Sequence, residues 1–95
     1  MIVVRDVFQA RYGKGGELVT LLKEAQQKWS QGYAHRILTD ASGPFFTVVT
    51  ETELADWAAW QKRREEVLGH PDFGSWFARM TPLVDSGRRE FYNLE

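Results

Sequence analysis

Within 95 residues the hydrophobic pattern passes through strand, helix, strand, strand, helix and strand in that order. Helices connected this way stack on one side of the sheet, so they cover only one of its faces. The strands nevertheless carry apolar residues on both. In residues 2–10, Ile2, Val4, Phe8 and Ala10 alternate with Val3 and Val7. In residues 45–51, Phe45 and Val49 alternate with Phe46 and Val48. Such a chain has to meet something with its second sheet face, and a second copy of itself is the expected cover.

Local chemistry sets the boundaries. Tyr12-Gly13-Lys14-Gly15-Gly16 breaks the first strand, and a helix follows to about Ser30 with Leu18, Leu21, Leu22, Ala25 and Trp29 on one stripe. Two strands, 33–39 and 45–51, flank the turn Asp40-Ala-Ser-Gly-Pro44. Thr50 and Glu53 have the spacing of a capping box, which predicts a second helix from there to about Leu68 with Leu54, Trp57, Ala58, Gln61 and Leu68 on its main stripe. Trp60, Arg64 and Val67 lie to one side of that stripe. After Gly69-His70-Pro71, Asp72 is placed to cap a shorter helix carrying Phe73, Trp76, Phe77, Met80, Leu83 and Val84. Ser86-Gly87 is read as its end and 88–94 as the last strand. The layout is one domain over residues 1–95, an α+β sandwich with an antiparallel sheet.

Composition removes several function classes. There are no cysteines, so disulfides, zinc-thiolate sites and thiol nucleophiles are excluded. A formal net charge of −1 gives no general attraction to nucleic acid or anionic lipid. The third strand also lacks the leading basic residue of RNA-recognition sheets and has Pro44 at its entry, so no nucleic-acid partner is expected. The apolar runs are too short to span a bilayer, and Met1 is followed by a strand instead of a signal peptide. No membrane partner is expected, and the expected location is the cytoplasm.

Several short segments carry a family likeness in their order and spacing. They are Gly13-Lys14 with Glu17-Leu18, Arg36 to Asp40, Gly43-Pro44-Phe45, Val48 to Glu51, Asp72-Phe73 with Trp76, and Gly87 to Tyr92. Together they resemble NIPSNAP-like small domains of the dimeric α+β barrel superfamily, over nearly the whole chain. The resemblance implies a ferredoxin-like βαββαβ protomer whose sheet pairs with a second copy to form a barrel. It brings no catalytic motif. The superfamily also contains cofactor-independent monooxygenases and isomerase-like enzymes, so the fold does not select a function.

The candidate functional residues are few. His35, within a strand, is a candidate general base or proton shuttle, with a surface hydrogen bond or dimer seam as the structural alternative. His70 precedes Pro71 and reads as a connector, and no histidine–carboxylate spacing for a metal exists, so no metal or cofactor is expected. Arg5, Arg36 and Arg89 fall in strands. Two on one face would clamp an anion, whereas Asp6 and Glu90 nearby favour cross-strand ion pairs. Trp60, off the main helical stripe, and Tyr92 are candidate walls of an aromatic pocket. Gly13-Lys14-Gly15-Gly16 lacks the spacing of a phosphate loop and reads as a turn.

Two functional classes follow. One is a small-molecule site between sheet and helices, either a binder of an apolar or aromatic compound or a cofactor-independent oxygenase or isomerase, using Arg5, His35, Arg36, Trp60 and Tyr92. The other is a non-catalytic dimeric interaction module with the cavity filled by side chains. The absence of a nucleophile–base pair or paired carboxylates leans the sequence away from catalysis.

Overall fold

β-branched and aromatic residues make β1 (Ile2–Ala10) the centre of the sheet. In the computed structural model, which describes residues 1–95, β1 pairs antiparallel with both β3 (Thr47–Leu54) and β4 (Val84–Asn93). β2 (His35–Thr39) pairs antiparallel with β3, and the strand order is β2-β3-β1-β4. With helices α1 (Gly15–Trp29), α2 (Trp57–Leu68) and α3 (Phe73–Met80) on one face, this is the ferredoxin-like α+β sandwich expected from the sequence. No helix is long and apolar enough to cross a membrane.

The helix-side face carries Ile2, Val4, Asp6, Phe8 and Ala10, with Val48, Thr50, Thr52 and Leu54 beside them. Leu18, Leu21 and Leu22 of α1 pack with Ala10, Val48 and Trp76, and the Trp76 indole N–H donates to the Leu21 carbonyl at 3.0 Å. A second cluster, Ile2, Val4 and Leu54, is covered by Trp60, Ala59 and Phe91. Trp57 and Trp60 pack on Phe91 at 4.5 and 5.6 Å between ring centroids, which docks the start of α2 on β4.

Several boundaries differ from the sequence reading. α1 already begins at Gly15, so Gly15 and Gly16 belong to the helix and not to the turn, and α3 ends at Met80. The third strand runs to Leu54, so Thr50 and Glu53 are sheet residues and form no capping box. Asp56 caps α2 instead, its Oδ1 accepting from the Ala59 N–H at 2.8 Å. Leu54 is a buried strand residue and not part of a helical stripe. Phe45 and Phe46 precede the strand, and Phe46 adopts φ +60°, so they do not alternate between sheet faces. Tyr33 and Ala34 lie before β2. The last strand begins at Val84, and Gly87 sits inside it opposite Phe8, where an added Cβ would come within 3.3 Å of the Val7 carbonyl oxygen.

The open face holds Leu38, Val49, Val7 and Arg88 in one transverse row and Arg36, Glu51, Arg5 and Glu90 in the next. Val7 and Val49 are 8 % and 7 % exposed, while Leu38 at the edge is 37 % exposed. The face is apolar at its centre and ionic beside it.

Candidate functional site

Between the helix-side face and the helices lies a cleft with two connected lobes of about 220 and 290 Å³. They share Asp6, Thr50, Thr52, Arg63 and Arg89 as part of their lining. The sheet supplies Asp6 and Phe8 from β1, the two threonines from β3 and Arg89 from β4. Register explains the polar floor, because Thr50, Asp6 and Arg89 lie in one transverse row. The walls of the first lobe are apolar and aromatic, with Trp29 from α1 and Phe73, Trp76, Phe77 and Met80 from α3. This is the usual make-up of a small-molecule site, an apolar lining with a few placed polar groups.

Arg89 and Asp6 form a two-point ion pair, Nε to Oδ1 at 2.6 Å and Nη2 to Oδ2 at 3.1 Å. The Arg89 guanidinium also stacks over Trp60 at 4.7 Å. Both oxygens of the carboxylate are therefore engaged by one arginine.

Arg63 behaves differently. Its Nη2 donates to Ser30 Oγ at 2.6 Å, and its guanidinium lies 5.4 Å from the centroid of the Tyr33 ring. Its Nε is buried and has no acceptor in the chain. No carboxylate lies within ion-pair distance of it. Burial is the largest influence on this group and pulls its pKa below the ordinary arginine value; Tyr33 and Asp6 oppose the fall, and Arg89 adds to it. Gln26 and Trp29, which line the same lobe, each also keep a donor, Nε2 and Nε1, buried without an acceptor.

The residues singled out from sequence divide between two faces. Trp60 lines the second lobe of the cleft. Arg5, Arg36 and Tyr92 lie on the opposite, open face, by their register with Glu51 and Val3. There Arg36 Nε and Nη2 each approach Glu51 Oε1 at 2.6 Å, and Arg5 Nε lies 3.5 Å from Glu51 Oε2, an ion pair too long for a good hydrogen bond. Two arginines do share a face, but an internal carboxylate already sits between them. His35 is exposed at the edge strand and does not line either lobe. His70 accepts the Asp72 N–H on Nδ1 at 3.1 Å and meets the Trp29 ring edge-on, as a connector residue would. Gly13, at φ +80°, turns the chain between β1 and α1. No cluster of three or more metal-ligating side chains is present.

Arg63, Gln26 and Ser30 escaped the sequence reading. The available signal was spacing: Trp60, Arg63 and Val67 stand at i, i+3 and i+7, and Leu22, Gln26 and Trp29 at i, i+4 and i+7. Each polar residue sits on the inward stripe of its helix.

No protein-family model matches the chain, and no curated protein matches it significantly. Solved structures do. An uncharacterised NIPSNAP domain protein from Burkholderia xenovorans superposes with a TM-score of 0.90 at 20% identity, covering 100% of this chain and 95% of that one. A NIPSNAP family protein from Agrobacterium tumefaciens gives 0.84 at 19% identity, covering 97% and 90%. A cofactor-independent oxygenase from Streptomyces nogalater gives 0.74 at 13% identity, covering 99% and 92%. The fold is thus that of NIPSNAP domain proteins and of the dimeric α+β barrel, as the sequence resemblance implied.

Proposed function

We propose that the protein binds a small, mainly apolar and planar molecule in the cleft between the sheet and its helices. The observation that carries this reading is the aromatic wall of Trp29, Phe73, Trp76 and Phe77 facing a short polar floor across an accessible cavity. A core sealed by its own side chains, as an interaction module requires, would leave no such space. The S. nogalater oxygenase shows that this fold also serves an enzyme, but the groups lining the cleft here favour binding over acid–base chemistry. Asp6 is held at both oxygens by Arg89, and neither histidine reaches the lining. The open face, in this reading, pairs with a second copy through the row Leu38, Val49 and Val7.

The test is titration with neutral naphthalene-2-carboxamide, followed by calorimetry and by the NMR shifts of the Met80 methyl and Trp29 indole N–H. Saturable binding at one probe per chain is expected, with shifts at both groups. It should vanish in Ala25→Trp, which fills the first lobe from α1. Binding that survives Ala25→Trp in a folded variant, or shifts confined to the open face, would overturn the cleft reading.

A further inference from the structure

Three side chains that line one lobe, Arg63, Gln26 and Trp29, each keep an N–H (Nε, Nε2 and Nε1) buried beside it with no acceptor within the chain. A buried donor without an acceptor is costly, so side chains that keep three of them beside one cavity are placed to turn toward an acceptor that enters it. The charges narrow the class. The titratable groups lining the first lobe are Asp6, Arg63 and Arg89, two cations against one anion; the second lobe adds Arg64, another cation. Asp6 is paired with Arg89, which leaves Arg63 without an ion-pair partner of its own.

We propose that the occupant of the cleft is an aromatic carboxylate, its oxyanion received by Arg63 with Gln26 and Trp29, and its ring against the α3 aromatics. The inference rests on the cleft being a binding site and adds the chemical class of what it takes. Arg63 is suited to the task because Ser30, itself only 2 % exposed at the end of α1, already fixes the guanidinium through Nη2 while Nε stays unspent. Partial desolvation sharpens the preference, because a guanidinium partly withdrawn from water gains more from a counter-ion than an exposed one does. Phe73 and Phe77, stacked at 5.7 Å with an interplanar angle of 22°, offer the ring a flat apolar neighbour.

The experiment compares naphthalene-2-carboxylate with naphthalene-2-carboxamide, nearly equal in shape and different in charge, on the full chain at fixed salt. The carboxylate is expected to bind at least tenfold more tightly. In Arg63→Gln the two Kd values should converge, and Arg63→Lys should recover part of the gap; circular dichroism verifies that each variant is folded. Equal affinities on the unaltered protein overturn the anion proposal and leave the cleft reading standing. A carboxylate preference that persists in Arg63→Gln overturns the role of Arg63. Failure of both probes to bind overturns the cleft reading and this proposal with it.

Discussion

At the scale of single residues, the turn into α1 shows how tightly local choices are coupled. Phe46 holds φ +60°, a region that costs an L-residue roughly 1–2 kcal/mol. It is kept there by packing: its ring meets Tyr12 edge-on at 4.9 Å and lies over Gly15, where a Cβ would come within 3.1 Å of Phe46 Cδ1. Gly15→Val should therefore lower stability by about 1–3 kcal/mol despite standing at a helix start, measured as a fall in the urea midpoint at unchanged m. A neutral or stabilising result would mean that the Phe46 ring moves aside freely. Nothing in the sequence could announce this arrangement, because two phenylalanines before a β-branched run read as strand, and only the approach of α1 moves them off it. The cleft residues divide in the same way. Asp6 and Glu90, alternating with arginines along their strands, were enough to expect cross-strand ion pairs, though not which partner each would take. Arg63, in the run Gln61-Lys62-Arg63-Arg64-Glu65-Glu66, looks like one more charge on a solvated helix until the sheet shows which side of that helix is inside.

At the scale of elements, the second helix carries the main lesson. Thr50 and Glu53 have capping-box spacing, yet Thr50 lies between Asp6 and Ile37 in a strand flanked on both sides. Ladder hydrogen bonds along β1 and β2 outweigh one local cap, so the strand continues and the helix waits for Asp56. The two accounts differ measurably. Asp56→Ala should cost about 1 kcal/mol of stability, whereas Thr50→Val should leave the helical circular dichroism unchanged. Loss of helix in Thr50→Val would restore the capping box. α2 buries none of its residues fully, while α1 buries four, so α2 is held by Trp57, Trp60 and the Arg63–Ser30 bond more than by a core stripe. This explains why its apolar pattern was broad and its start was misplaced although its end at Leu68 was read correctly, while the cleaner stripe of α1 gave its end within one residue and its start within two. It also makes α2 the wall of the cleft that yields most readily to an entering ligand.

For the molecule as a whole, the shape is that of a slab, 36 × 35 × 19 Å. Its accessible surface of 6134 Å² exceeds the roughly 5,600 Å² expected of a monomer of 11.0 kDa. A two-layer sandwich of this size leaves one sheet face to solvent, and that face is unusual for a wet one. Val7 and Val49 are nearly covered already by their long neighbours, Leu38 and Tyr92 stand out from it, and Glu51 is only 12 % exposed between Arg5 and Arg36. Arg36, Glu51, Arg5 and Glu90 alternate in sign across the four strands, so the same row on a second copy can oppose it in complementary register. The two-sided apolar pattern of β1 made the apolar centre of the open face legible from sequence; the ionic row was not, since it exists only once register sets four residues from four strands side by side. Native mass spectrometry should show a species near about 22 kDa, twice the chain mass. Val7→Arg would disturb core and interface together, so the sharper variant is Leu38→Lys, on an edge strand that tolerates lysine and at a side chain already exposed in the protomer. It should shift the mass toward 11.0 kDa while leaving the circular dichroism and the cleft's affinity for naphthalene-2-carboxylate intact, because the cleft lies on the other face of the sheet. If Leu38→Lys stays dimeric, the apolar row is not the seam; if the unaltered protein is a monomer, the open face is simply solvated and its ion row serves the protomer alone.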